Sequence, residues 1–193
     1  MSDNGYVNYF EILELDESAK PGDVRKNYKR KMKDLVLEIA RVEITEERRD
    51  RYLLDMAKLN AAFCVLRDNG TRERYWLERG AVMALEEEWR AAALDPEKAD
   101  PLRRRFDGML RDFLTRYLEE TMLEAGRDKE CVEMSNWDAA HERHAFRILR
   151  QYRQSLHRQI LERLPYFDVT PPRIDWDERR QTVAAILAAE GRM

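Results

Sequence analysis

Two apolar stripes at helical spacing constrain the fold of this 193-residue chain more than any other feature. Apolar residues that recur every three or four positions share one face of an α-helix. The first stripe comprises Val24, Tyr28, Met32, Leu35 and Ile39, and the second comprises Tyr52, Met56, Leu59, Phe63 and Leu66. Each stripe must be buried against another element, and two consecutive helices achieve this when they pack antiparallel. The first third of the chain is therefore predicted to be a helical hairpin.

Few residues in the whole chain interrupt helices. Only 7 residues are Gly and 6 are Pro, whereas charged residues make up 38% of the chain. This composition is typical of long helices that carry salt bridges, and it argues against β-sandwiches and barrels. We predict an all-α protein. The net charge of −3 excludes bulk attraction to nucleic acid or anionic lipid, so any such binding must come from a local patch.

Local signals predict the ends of the first helices. Pro21 suits the first turn of a helix, where its missing N–H is not needed, and Thr45 is a suitable N-cap. The segment Asp68-Asn69-Gly70 tolerates the left-handed conformation and is predicted to end the second long helix. The predicted helices of this part span about 8–13, 21–41, 46–68 and 71–77.

Three stretches of this region together carry a known pattern. Two of them are Asn8-Tyr9-Phe10-Glu11-Ile12-Leu13 and Val24-Arg25-Lys26-Asn27-Tyr28-Lys29-Arg30. The first resembles the opening and the second resembles the basic second helix of the J-domain, the helical module of DnaJ-type co-chaperones. The stretch Leu59-Asn60-Ala61-Ala62-Phe63-Cys64-Val65-Leu66-Arg67-Asp68, followed by Arg72 and Tyr75, is similar to its third helix. Order and spacing agree over about residues 6–77, and several motifs in register are more specific than one. The resemblance implies a J-domain-like helical hairpin at 1–79.

The predicted second helix carries a basic face, which comprises Arg25, Lys26, Lys29, Arg30 and Lys33. Two interpretations of this face are open. The resemblance implies that it docks an acidic partner protein, a DnaK-type ATPase in the family, and charges of this kind steer association more than they set affinity. Alternatively, the charges only solvate the exposed side of an amphipathic helix.

The activating motif of the family is absent. J-domains stimulate DnaK-type ATPases through a His-Pro-Asp loop between their second and third helices, and alignment places Val36-Leu37-Glu38 at those positions. No gap restores the motif, because the first histidine is His141 and no proline lies between Pro21 and Pro96. The segment 36–43 also lacks Gly, Pro and Asn, so the second helix is predicted to continue past its usual end.

The remainder of the chain is predicted to form a C-terminal helical bundle at 80–193. Its predicted helices span about 81–94, 101–125, 136–164 and 176–190. Asp100 and Pro101 are expected to open the second of these, and Ser135 with Asp138 resembles a capping box for the third. Neither Gly80 nor its neighbours form a flexible or Pro-rich linker, so the two parts are expected to pack together.

The helix predicted at 136–164 carries a second basic surface, which comprises Arg143, Arg147, Arg150 and Arg158. Trp137, Phe146 and Tyr152 lie among these charges, an arrangement that suits stacking on nucleic acid or docking to an acidic protein. The alternative is that the aromatic side chains belong to the core while the arginines pair with the acidic residues at 86–88.

Other chemical signals are weak. Cys64 and Cys131 are far apart in the sequence and lack partners at metal-ligand spacing, so both are expected to be reduced. His141 and His144 lie one turn apart with Asp138 a turn earlier, but no further ligand lies at a suitable offset, and we predict no metal site. No nucleophile elbow, phosphate loop or zinc-protease motif occurs, so no catalytic residue and no cofactor are predicted. A signal peptide and a membrane-spanning apolar run are lacking as well, which favours a cytoplasmic protein.

These observations favour a non-enzymatic interaction or adaptor protein built on a degenerate J-domain. Such a protein is expected to bind a protein partner without stimulating a DnaK-type ATPase. It would either regulate a chaperone system or serve as a subunit of an unrelated assembly. One alternative is an active co-chaperone that docks through the basic second helix despite the missing motif. Another is a nucleic-acid-binding protein that uses the arginines of the helix at 136–164.

Overall fold

The computed structural model describes residues 6–41 and 45–162, together with 179, 180 and 183. Within these residues the protein is all-α, as predicted, and contains no strand. The helices in chain order are α1 (Tyr9–Ile12), α2 (Pro21–Arg41), α3 (Glu46–Leu66), α4 (Asn69–Ala91), α5 (Pro96–Thr115), a π-helical turn (Arg116–Glu120), α6 (Thr121–Ala125), α7 (Lys129–Ser135) and α8 (Ala139–Glu162). The predicted helix at 176–190 lies outside the described residues except for 179, 180 and 183, which are helical.

The first three helices agree closely with the prediction. Thr45 caps α3, because its hydroxyl accepts a hydrogen bond from a backbone N–H of the first turn. The apolar stripes of α2 and α3 pack against each other, and the buried rings of Tyr28 and Phe63 are stacked with 4.3 Å between their centroids. Helix α2 continues to Arg41, so the prediction that it passes through residues 36–38 is confirmed.

One helix, α4, replaces the two predicted at 71–77 and 81–94. The carboxylate of Asp68 caps α4 instead of lying in a left-handed turn that ends α3. Gly80 lies inside α4, where an exposed glycine costs only about 1 kcal/mol relative to alanine. Burial on both sides of this glycine holds the helix together; the buried residues are Tyr75, Val82, Leu85 and Trp89. The proposed division at 79 therefore falls within a helix.

The helix predicted at 101–125 begins earlier and is interrupted. Asp95 caps α5 and Pro96 occupies its first turn, so Pro101 lies inside the helix. Asp95-Pro96 and Asp100-Pro101 both carry the signal for the start of a helix. The helix begins at the earlier pair, because the added turn buries Ala99. Beyond Thr115, the π-helical turn separates α5 from α6.

The helix predicted at 136–164 is preceded by a separate short helix, α7. Asp128 caps α7, a role that the sequence pattern did not single out, and the left-handed Asn136 (φ 53°) ends it. Ser135 is therefore the last residue of α7 and not an N-cap, contrary to the prediction; it is buried and donates to a backbone carbonyl of α7. Asp138 alone accepts hydrogen bonds from two N–H groups at the start of α8.

A single buried core joins the predicted N-terminal and C-terminal parts. Its apolar side chains extend from Tyr6 before α1 to Ile160 in α8. Helix α3 lies at the centre, where it contacts α1, α2, α4, α6 and α8. None of the helices in the described ranges is both long enough and apolar enough to cross a bilayer.

Three buried tyrosines connect the N-terminal segment to the π-helical turn. The ring centroids of Tyr9 and Tyr75 lie 4.8 Å apart, and those of Tyr75 and Tyr117 lie 5.0 Å apart. The hydroxyl of Tyr9 donates to the backbone carbonyl of Tyr117, and the hydroxyl of Tyr75 donates to the carbonyl of Val7 at 2.6 Å. Burial raises the pKa of all three phenols, that of Tyr117 to about 12, so each stays protonated and can donate.

A buried polar network joins α2, α3 and α7. Asn60 is fully buried, and its side-chain oxygen accepts a hydrogen bond from the hydroxyl of Tyr28 at 2.9 Å. Its amide nitrogen donates to the hydroxyl of Ser135 at 3.4 Å, and that hydroxyl donates to the carbonyl of Cys131 at 2.6 Å. A buried amide is unfavourable unless its polar atoms are bonded. The network therefore ties the position of α7 to α2 and α3.

Replacing Asn60 with leucine should destabilise the protein by about 1–3 kcal/mol, because the buried hydroxyl of Tyr28 then lacks an acceptor. The double variant Y28F/N60L removes that hydroxyl and should recover much of the loss. The measurement is the free energy of unfolding from urea titrations of the wild type, both single variants and the double variant. Equal stability of N60L and the wild type would contradict this role of Asn60, as would a double variant that recovers nothing.

Candidate functional site

The basic face of α2 points to solvent. All five of its residues, Arg25, Lys26, Lys29, Arg30 and Lys33, are exposed. The apolar stripe on the opposite side of α2 is buried through Leu35, as the spacing predicts. The structure thus brings these five cations together on one accessible helical surface.

Two acidic side chains from other elements contact this face. Glu130 of α7 lies 2.9 Å from Arg25 and 3.7 Å from Lys29. Glu14, in a left-handed conformation after α1, lies 2.8 Å from Arg30. Its hydrogen bonds to Lys31 and Arg30 lower the pKa of Glu14 to about 2, so it remains ionised. Exposed pairs of this kind contribute little to stability, about 0–1 kcal/mol each, so they leave the cations able to exchange partners.

Two of the five cations are unpaired within the described part of the chain. Lys26 and Lys33 are exposed and contact no acidic group there, whereas Arg25, Lys29 and Arg30 do. Leu37 is 42% exposed and follows Lys33 by one helical turn. An exposed leucine beside cations provides apolar contact area within a charged surface.

The residues that the resemblance aligns with the His-Pro-Asp loop are helical. Val36 is half-buried, while Leu37 and Glu38 are exposed on α2. The backbone N–H and C=O groups of a helix are bonded within it, so this segment forms no exposed loop. This segment therefore lacks both the residues and the loop that the resemblance would imply there.

The second predicted surface, on α8, is exposed but less strongly cationic than the sequence implies. Arg143, Arg147, Arg150 and Arg158 all face solvent. Arg147 lies 3.2 Å from Asp50 of α3. The predicted pairing with residues 86–88 does not occur among the described residues, because Glu86 instead pairs with Arg90 one turn away on α4.

The aromatic residues near this second surface divide between core and solvent. Trp137 is buried and Tyr152 is partly buried against the core, as one interpretation predicts. Phe146 is 48% exposed, so its assignment to the core is wrong. The core-facing positions of α8 include Ala145, Ile148 and Leu149, and residue 146 lies to one side of them.

The histidines of α8 serve local contacts. The Nδ1 atom of His141 lies 2.8 Å from the carboxylate of Asp138, which also caps the helix. His157 contacts Asp107 of α5 at 2.9 Å. His144 is exposed and belongs to no group of potential metal ligands within the described ranges. The structure therefore does not gather His141 and His144 around a common centre.

The two cysteines form a pair that the sequence analysis missed. The Sγ atoms of Cys64 in α3 and Cys131 in α7 lie 3.7 Å apart, and both residues are reduced in the structure. The spacing of residues along a helix does not predict a contact between positions 67 residues apart. The pair is therefore seen only once α7 is packed against α3. The one available sequence signal was Asp128, whose role as the cap of α7 fixes where that helix begins.

Asp128 holds α7 beside the cysteine pair. Its carboxylate accepts two hydrogen bonds from the guanidinium of Arg67, at 3.1 and 2.6 Å, and others from the N–H groups of Glu130 and Cys131. The Arg67 contact is the main reason that the pKa of Asp128 is lowered. Ligand atoms of Cys64, Cys131 and Asp128 lie within 4.8 Å of one another, but a metal ion would have to replace the Arg67 contacts of Asp128.

Substituting Asp128 with asparagine should remove a pH-dependent part of the stability. A carboxyl whose pKa is lower in the folded state stabilises the protein at neutral pH, and this stabilisation is lost as the pH falls below about 4 towards the folded-state pKa. Asparagine retains the helix cap, so D128N should be less stable by about 1 kcal/mol at neutral pH and nearly equal to the wild type in acid. Urea titrations at several pH values measure this difference.

The matched control for this prediction is Arg67→Gln, which removes the same ion pair from its other end. It should reduce the pH dependence of stability in the same range, and D128N should add little in that background. Parallel stability curves for D128N and the wild type between pH 3 and 7 would contradict the role of the ion pair.

Comparisons with protein-family models, with curated proteins and with solved structures found no match to this chain. The resemblance to the J-domain thus rests on the residues quoted above alone. The exposed cations of α2, the arginines of α8 and the cysteine pair between α3 and α7 are the features from which a function is argued.

Proposed function

We propose that this chain is a non-enzymatic protein-interaction protein that docks an acidic surface of a partner protein through the basic face of α2. The observation that carries the proposal is the exposure of all five cations on one side of a helix whose other side is buried. Glu14 and Glu130 compensate some of this charge, and Lys26 and Lys33 have no acidic partner within the described ranges.

Helical geometry supports a docking surface over a merely solvated one. At 3.6 residues per turn, the five cations and Leu37 fall within one sector of α2, whereas Asp23 and Asp34 fall at or beyond its edge. An apolar side chain within a cationic patch gives a partner both steering charge and area to desolvate.

The resemblance over residues 6–77 favours a DnaK-type ATPase as the partner, and the missing motif argues against its activation. In J-domains the second helix docks a DnaK-type ATPase, while the His-Pro-Asp loop is tied to activation. Residues 36–38 carry neither that chemistry nor a loop in this chain. The proposed action is therefore binding without stimulation of ATP hydrolysis, either to regulate a chaperone system or to join an unrelated assembly.

The proposal predicts that a purified DnaK-type ATPase binds the full chain and hydrolyses ATP at an unchanged rate when the chain is saturating. The variant K26E/K33E reverses two cations without breaking any described ion pair, and it should weaken binding by about tenfold or more at low salt. Binding is measured by fluorescence anisotropy and hydrolysis by single-turnover assay.

The matched control is R103E/R104E, which reverses two exposed cations on α5. It should bind like the wild type. Equal weakening by both variants would contradict a specific surface on α2, and stimulated hydrolysis would favour the active co-chaperone instead. If the ATPase does not bind, a photo-crosslinker at position 33 should capture another protein that a crosslinker at position 104 does not capture. Capture of no protein at either position would contradict the proposal.

A second candidate function, nucleic-acid binding through α8, is favoured by one observation. Phe146 is exposed beside Arg143, Arg147 and Arg150, and an aromatic ring among arginines can stack on an unpaired base. Trp137 does not contribute, because it is buried.

This second candidate predicts that a single-stranded oligonucleotide binds with an affinity that falls with salt, at a logarithmic slope of about −0.7 for each phosphate contacted. Phe146→Ala should weaken binding by about fivefold or more. Leu77→Ala, which shortens an exposed apolar side chain on α4, is the control and should have no effect. Binding that ignores both salt and Phe146 would exclude this function.

A further inference from the structure

The two thiols between α3 and α7 differ in burial and in pKa. Cys64 is half-buried, whereas Cys131 is fully buried. The hydrogen bond that Cys64 shares with the thiol of Cys131 lowers the pKa of Cys64, and the nearby Arg67 lowers it further, while burial and the carboxylates of Asp128 and Glu130 oppose this effect. The hydrogen bond to Cys64 and burial raise the pKa of Cys131. Its greater exposure and its lower pKa both favour Cys64 over Cys131 as the nucleophile.

Cys64 also lines a surface pocket, which gives reagents a path to it. The pocket has a volume of about 530 Å³, which falls within the range of small-molecule sites. Three arginines and two carboxylates line it beside Cys64: Arg74, Arg116, Arg127, Glu124 and Asp128. Arg116 and Arg127 pair with Glu78 and Glu142, whereas Arg74 is exposed and makes no ion pair within the described ranges. Glu124 is also exposed and makes no ion pair within the described ranges, so the pocket offers one free cation and one free carboxylate to a charged molecule.

We propose that Cys64 and Cys131 form a thiol–disulfide exchange site that accepts a charged, low-molecular-weight disulfide such as oxidised glutathione, which carries both carboxylates and ammonium groups, in the pocket between α3, α4 and α6. Cys64 attacks the bound disulfide, and Cys131 resolves the product. This site is independent of the basic face of α2 and of the proposed docking function.

The exchange balances in two steps. The Cys64 thiolate attacks one sulfur of oxidised glutathione, forms a mixed disulfide and releases one glutathione thiolate, which takes up the proton that Cys64 had lost. Cys131 then loses its proton and attacks the Sγ of Cys64, which expels the second glutathione thiolate. That thiolate takes up the proton from Cys131. The protein dithiol is oxidised by two electrons, and oxidised glutathione is reduced to two molecules of glutathione.

The local structure permits closure of the bond. The two Sγ atoms lie 3.7 Å apart and must approach to about 2 Å, a displacement within reach of a side-chain rotation and a small shift of α7. The bond would link α7 covalently to the central helix α3.

The test uses the full chain with oxidised glutathione as the probe. Intact mass and peptide mapping of the wild type should reveal an intramolecular link between Cys64 and Cys131 and no lasting glutathione adduct. Cys131→Ser should accumulate a glutathione adduct on Cys64, because no resolving thiol remains. Cys64→Ser should react about tenfold or more slowly than Cys131→Ser, because the thiol of Cys131 is buried.

The charge of the pocket gives a second, independent measurement. The wild type should react faster with oxidised glutathione than with the neutral bis(2-hydroxyethyl) disulfide after correction for their intrinsic reactivities. Arg74→Gln should reduce this preference by about twofold or more, while Arg103→Gln on α5 should leave it unchanged. Equal rates with both disulfides would overturn the charged class of substrate.

Several outcomes would overturn the exchange site itself. One is persistence of both thiols at excess oxidised glutathione, and another is a link between two chains in place of the intramolecular bond. A third is reaction only in denaturant, which would mean that the thiols react in the unfolded chain. Circular dichroism and urea midpoints check that each serine variant is folded, and the peptide map of the wild type decides the question if a variant is not.

Discussion

The buried amide of Asn60 is the interaction on which the arrangement of α2, α3 and α7 depends. An amide with no access to water must satisfy both its oxygen and its nitrogen inside the protein, and it does so with Tyr28 on one side and Ser135 on the other. With α7 held in this register, Glu130 reaches the basic face of α2 and Cys131 reaches Cys64. Both candidate sites therefore depend on the same buried polar contact.

Helices whose signals are local could be predicted from the sequence. The ends of α2 and α3 follow from Pro21, Thr45 and apolar stripes that any helix of that register would bury. The predictions failed where two local signals compete. Gly80 suggests a break between two helices, yet α4 continues through it because the side chains before and after it are buried. Asp95 and Asp100 both precede proline, and only tertiary burial selects the first.

Within the candidate sites, too, features set by one helix could be predicted and contacts between distant helices could not. The basic face of α2 could be predicted, because its five cations lie within one helix and their spacing determines their common side. Its contact with Glu130 could not, because the two partners are 105 residues apart. The cysteine pair was hidden for the same reason, and Phe146 was misassigned because an aromatic residue beside a core stripe can turn to either side of it. Pairings across long stretches of chain depend on packing, which periodicity does not encode.

The hydroxyl of Tyr9 donates to a backbone carbonyl 108 residues downstream, in the π-helical turn. During synthesis, the ribosome adds Tyr9 long before it adds Tyr117, whose carbonyl is the acceptor of this hydrogen bond. Helices α2 and α3 can begin to pack together early, because both are made before the π-helical turn. The bond that fixes the N-terminal segment forms only after that turn has been synthesised, so the start of the described chain is anchored late.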